Sequence, residues 1–292
     1  MSKICVTATA VLLLALSGSL TAQTIVTVNG TKIDSQEVER RAKAVQSQTQ
    51  GQIQDSPQLR QAIASEMVTE TVIVQEARRL KLNQSSEYKA AEAEALKEAK
   101  SRGLDKQAGF KQSWEDYQSH LLVLAYADSV LKQNPVKDAD VQKRYSEIKS
   151  RYQNTDEVEL GELVTDKAEQ TQAALKELAA KKKFSDVAKK YSIDPEAKTT
   201  GGIVKGFASL VDLKADRPRI YEAVSGLSKG QYTKNPLQEQ QISVIFYMND
   251  RRKITVPALD QVKDNIRAGL ADERVQQAVT VLMQKATITP AK

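Results

Sequence analysis

A chain of 292 residues, 40% hydrophobic and 27% charged, has the length and composition of a soluble globular protein with room for two modest domains. Aromatics are 5%, so any core is mostly aliphatic, and the 43 basic and 37 acidic residues are interspersed with no long basic block, Lys181-Lys182-Lys183 being a run of only three, which argues against a nucleic-acid partner despite the net charge of +6. One histidine and one cysteine leave neither a zinc site nor a histidine-based triad within reach of the composition.

Residues 1–22 read as a cleavable export signal. Lys3 is followed by the apolar run Val11-Leu12-Leu13-Leu14-Ala15-Leu16, too short to span a bilayer, and then by Leu20-Thr21-Ala22, with cleavage expected after Ala22. Cys5 lies inside this segment, so the mature chain is expected to be exported, cysteine-free and stabilised by packing alone. "TIVTVNGTKI" (24–33) alternates about Asn29-Gly30 and predicts a hairpin. Asp34 with Glu37 predicts a capped helix carrying Val38, Ala42 and Val45 on one face. Ser56-Pro57 opens a second helix, with Leu59, Ile63, Met67, Val74 and Ala77 on its buried side. A charged helix is expected from about Glu87 to Arg102, and another from about Trp114 to Gln133.

Residues 135–155 read as a polar linker helix with a thin stripe of Val141, Tyr145, Ile148 and Tyr152. The period then changes, and Val158 and Leu160 alternate as on a strand. Asp166 with Glu169 predicts a capped helix ending near Lys181, whose three lysines suit a helix C-terminus. Phe184-Ser185 opens a short helix with Val187, Ala188 and Tyr191, and "ISVIFYM" (242–248) is a last strand. Beyond Pro257 a helical period returns in Leu259, Val262, Ile266, Leu270, Val275, Val279 and Leu282. Its apolar face has no partner nearby in sequence; packing on the N-terminal helices is expected, which makes the middle segment an insertion.

Three stretches together carry a family resemblance: "VTVNGTKIDSQEV" near the start, "FSDVAKKYSIDP…GG…GF" with "ISVIFYMNDRR" in the middle, and "VPALDQVKDNIRAGL" near the end. They resemble the SurA-like folding factors that contain a parvulin (PpiC-type) domain. The resemblance implies an α+β protein: a helical chaperone domain built from 23–134 and 254–292, joined through 135–155 to an inserted βαααβαββ-type parvulin domain at 156–253. It implies unfolded or nascent exported polypeptides as partners, outer-membrane proteins among them, a periplasmic location, and no metal or organic cofactor. A swapped homodimer and an intramolecular return of the last helix both fit.

Isomerising an X–Pro bond means crossing a barrier of about 20 kcal/mol. It requires a dry seat for the proline ring and polar groups that favour the twisted amide. The resemblance places the family's two histidines at Glu162 and Val244, and its acidic or thiol position at Ile203. All three depart from that pattern, and the only histidine of the chain, His120, lies outside the segment. The implied proline seat is Phe207 with Leu213 and Ile220. Glu162, as a lone carboxylate on a strand, reads as solvent-facing, and His120 and Trp114 read as structural, with Trp114 in a client-binding cradle as the alternative. Gly201-Gly202 does not have phosphate-loop spacing. Three functions fit the sequence: a chain-binding folding factor with a degenerate parvulin lobe, an active peptidyl-prolyl isomerase with an apolar site, and a surface adhesion protein on the same frame.

Overall fold

The computed structural model describes residues 23–291, so the expected export signal lies outside the described residues. They divide into two compact units, one made of the residues up to Lys137 together with those from Arg267 onward, the other spanning Asp138–Ile266. Among the described residues no helix is long and apolar enough to cross a membrane.

The first unit opens with the hairpin β1 (Thr24–Val28) and β2 (Thr31–Asp34). Asn29 and Gly30 between them both take positive φ, 48° and 87°, the twist a two-residue hairpin turn requires. Asp34 then caps α1 (Ser35–Gln48), its Oδ1 accepting from the Glu37 N–H at 2.9 Å. The other half of a capping box is not made: the Glu37 carboxylate turns to Arg40 and Arg41 instead. Ser56 caps α2 (Pro57–Arg79) through Leu59 N–H, with Pro57 in the first turn where no donor is missed. Next come α3 (Ser86–Ser101) and α4 (Phe110–Gln133), the latter beginning four residues before its expected start at Trp114. Phe110, Trp114 and Tyr117 stack along α4 with centroids 5.9 and 5.4 Å apart. His120 is exposed on the same helix beside buried Leu122.

The second unit starts with α5 (Asp138–Tyr152), of whose stripe Val141 is fully buried. Its sheet is built on β3 (Asp156–Thr165), followed by α6 (Ala168–Ala179), α7 (Phe184–Tyr191) and the single turn α8 (Ala197–Thr200). Asp166 does not cap α6: the cap position is Lys167, with no side-chain bond to the helix. The other end of α6 is closed by a Schellman motif. Lys181 sits at φ 61°, its N–H bonds Leu178 O, and Lys182 N–H bonds Glu177 O. After β4 (Ala208–Ser209) come the short helices α9 (Leu210–Asp216) and α10 (Pro218–Val224), then β5 (Leu237–Glu239) and β6 (Ile242–Lys253). The strands lie in the order β4-β3-β6-β5, all antiparallel.

Last are α11 (Leu259–Lys285) and β7 (Ile288–Pro290). Within the first unit, Val279 of α11 packs fully buried against Ile73, Val74, Ala77, Tyr88, Leu122 and Tyr126, while Leu282 and Met283 reach the core under the hairpin. The C-terminal apolar stripe thus finds its partner in α2, α3 and α4. The strand β7 joins the edge of β1, and Asn29 holds the chain leading into it by accepting from Thr287 N–H at 2.7 Å and donating its own N–H to Thr287 O.

Candidate functional site

The antiparallel pair β3–β6 has two faces, each roofed by different helices. Val158, Leu160, Val244, Phe246 and Met248 form one cluster with Leu210 and Val224, and Leu213, Ile220 and Tyr221 pack against it from α9 and α10. Leu163 and Ile245 point the other way, to Ala174, Leu178, Phe184, Val187 and Ala188 on α6 and α7. Side chains alternate along a strand, so Glu162, between Leu160 and Val164 and in register with Phe246, belongs to the α9–α10 face. A bulge at Glu159/Leu160 lets β6 pass Asn249 without a partner and keeps Leu160 opposite Met248, which holds this apolar face together along the strand.

Glu162 is half-buried rather than solvent-facing, and none of the described residues hydrogen-bonds its carboxylate. Its neighbours on the same face are hydrocarbon, and Phe246 opposite is 2% exposed. Burial pushes its carboxyl above the ordinary range. Arg217, between α9 and α10, pulls the other way; the like charges of Asp194 and Glu239 add to the rise.

The edge of β3 beside Glu162 is wrapped by residues 192–204. Ser192 Oγ accepts from Val164 N–H at 3.2 Å, Ile193 N–H bonds Val164 O at 2.8 Å, and Val204 N–H bonds Leu160 O at 2.9 Å. Between these, Glu162 N–H bonds Gly202 O at 2.7 Å. The wrap comes so close that only glycine fits: a Cβ on Gly202, which has φ +79°, would lie 2.6 Å from Glu162 O and 3.0 Å from Ala188 Cβ. Asp194 is carried here by the same segment, its Oδ1 accepting from Glu196 N–H.

The residues expected at the site divide accordingly. Glu162, Val244, Leu213 and Ile220 come together on the α9–α10 face. Ile203 does not join them. It bridges to Gly161 and packs on the opposite face with Phe184, whose ring occupies the space a side chain at 161 would fill. Phe207 is also elsewhere: its ring lies under the Arg252 guanidinium, 3.8 Å from centroid to Cζ, and Arg252 pairs across the strands with Glu157. The aromatic that floors the α9–α10 face is Phe246. It was legible only as one letter of an apolar strand, although its register opposite Glu162 follows once β3 and β6 pair. Asp194 and Arg217 carried no sequence signal, because only the loop wrap and the α9–α10 corner bring them near Glu162.

The comparisons agree with the two-unit architecture. Residues 2–112 match the SurA-like N-terminal domain family, and residues 136–264 match the PPIC-type PPIase domain family. The chain is 30% identical over 268 residues to a probable parvulin-type peptidyl-prolyl cis-trans isomerase of Bordetella pertussis, covering 91% of this chain and 93% of that one. The chain is a SurA-like member of the parvulin-type isomerase family. The foldase protein PrsA of Clostridium botulinum is 27% identical over 283 residues, covering 88% of this chain and 83% of the other. A solved structure of PrsA from Bacillus cereus is 19% identical, covers 90% of this chain and 92% of its own, and aligns with a TM-score of 0.39. In this parvulin domain the sheet face under α9 and α10 carries the Glu162 carboxyl, without a hydrogen-bond partner among the described residues, set among aliphatic and aromatic side chains, and the domain's sequence holds no histidine.

Proposed function

We propose that this SurA-like parvulin is an exported folding factor that binds unfolded polypeptides and receives their X–Pro segments on the α9–α10 face of its parvulin domain. The observation that supports this most is that face itself: Leu213 and Ile220, both partly exposed, border the apolar cluster of Val244 and Phe246, with half-buried Glu162 as the polar group beside it. An aliphatic seat favours a desolvated proline without supplying strong electrostatic help, and each tenfold acceleration requires about 1.4 kcal/mol of preference for the twisted amide. The isomerase activity is accordingly weak near neutral pH, and chain binding is the larger part of the function. The extended polypeptides it takes are exported clients, outer-membrane proteins among them, and the protein works in the periplasm after removal of residues 1–22.

The test is aggregation of a chemically denatured client diluted into buffer with and without the purified protein, alongside X–Pro exchange in short peptides followed by NMR. Suppression of aggregation at near-stoichiometric protein, with slow or modest acceleration of exchange, is the expected pair of results. Aggregation unchanged at excess protein would overturn the chain-binding reading.

A further inference from the structure

We propose that Glu162 acts as a neutral carboxylic acid, donating a hydrogen bond to the prolyl nitrogen of a bound X–Pro segment, and is thereby a catalytic residue of the α9–α10 face. The inference rests on the reading that this face holds X–Pro. In the planar ground state the nitrogen lone pair is delocalised into the carbonyl. Twisting the bond returns that pair to nitrogen, so a donor aimed there binds the twisted state better than the planar one, which is the condition for catalysis. An ionised carboxylate cannot do this because it only accepts; the protonated acid has an O–H to give.

The geometry makes the acid form easier to reach than in a free glutamate. Glu162 stands half-buried between Leu160 and Val164, opposite Phe246, with no hydrogen-bond partner among the described residues, so its O–H is not committed within the chain. The charged groups facing it come from three neighbouring pieces of chain. The loop at 192–204 contributes Asp194, β5 contributes Glu239, and the α9–α10 corner contributes Arg217. Two of these are carboxylates that oppose ionisation; Glu239 also reaches Arg219 at 3.9 Å. From β6 the neighbours are Val244 and Phe246, which carry no charge. Hydrocarbon on the floor and like charge at the rim both raise the carboxyl, against the pull of Arg217.

The experiment is NMR exchange of a short Ala-Pro peptide with the purified chain at a series of pH values from about 8 down to about 5, with circular dichroism checking the fold at each. Acceleration by the wild-type chain should rise as the pH falls, by about tenfold per unit while Glu162 is mostly ionised. Glu162→Gln keeps a donor of similar size and should be active and flat with pH, whereas Glu162→Ala should be slow throughout. Asp194→Asn, which removes a like charge, should move the wild-type rise to lower pH. A wild-type profile flat across the series, or Glu162→Gln as slow as Glu162→Ala, would overturn the role of Glu162 alone. Absence of both binding and acceleration of X–Pro peptides at every pH would overturn the reading of the face as an X–Pro site, and the role of Glu162 with it.

Discussion

Gly202 gives the sharpest test of how the loop at 192–204 shapes the site. Gly202→Ala would force an L side chain to φ +79°, which costs roughly 1–2 kcal/mol by itself. Its Cβ would also sit 2.6 Å from Glu162 O and 3.0 Å from Ala188 Cβ, neither the far end of a flexible chain, adding roughly 1–3 kcal/mol of overpacking. Gly206, four residues on, is the control. It has φ +103°, but a Cβ there meets nothing within 4 Å, so Gly206→Ala carries only the conformational part. The measurement is urea-dependent hydrogen exchange of peptides from β3 and β6, read by mass spectrometry. Fluorescence of Trp114, the only tryptophan, reports the first unit separately. Gly202→Ala should lower the free energy of opening in β3 by roughly 1–3 kcal/mol more than Gly206→Ala does, leaving the Trp114 transition in place. Equal losses in the two variants would show that backbone conformation, and not contact of the loop with β3, makes glycine necessary, and would refute the packing described for this edge.

Other expectations follow from single contacts. Lys181→Gly, at the left-handed position that ends α6, should stabilise the second unit by up to about 1 kcal/mol in urea titration, since glycine takes φ 61° without strain. Phe246→Ala should cost about 3–5 kcal/mol, among the largest losses in that unit, because the ring is 2% exposed at the centre of the sheet. Arg251 bonds Asp156 and the carbonyls of Ser225 and Leu227, so Arg251→Leu should speed amide exchange in residues 225–231 well beyond its effect on α6. In the first unit the Glu37 carboxyl is held below its ordinary range by hydrogen bonds from Arg40 and Arg41. A depressed folded value means stability that is present above the unfolded value and lost as pH falls through the folded one. Thermal unfolding followed by Trp114 should therefore weaken on acidification below the usual carboxylate range, and less so in Glu37→Gln.

Local chemistry made the first unit legible. Asn29-Gly30 dictates its turn, Asp34 and Ser56-Pro57 announce their helices, and the Val275–Val279–Leu282 stripe required a partner that α2, α3 and α4 supply. The strand β7 was not legible, because three exposed residues ending in proline carry no alternation, and only the edge of β1 makes them a strand. Asp166 had the right spacing for a cap, yet α6 begins after Lys167 without using it. At the site, alternation along β3 assigns Glu162 to the same face as Leu160, and hydrocarbon from β6, α9 and α10 buries it there. That roof is a tertiary fact, which is why a lone strand carboxylate read as exposed. Ile203 and Phe207 follow the glycine pair in sequence and looked like site residues for that reason; the loop wrap sends Ile203 to Phe184 and leaves Phe207 under Arg252.

The most direct test of X–Pro recognition on the α9–α10 face is methyl NMR of purified residues 23–292, labelled at Ile, Leu and Val, titrated with a proline-containing peptide and with the same peptide carrying alanine in place of proline. Shifts at Ile220, Leu213 and Val244 with the proline peptide, none at Ile203, and little response to the alanine peptide are the expected result. Shifts centred on Ile203, or equal responses to both peptides, would contradict the assignment of this face as the proline seat.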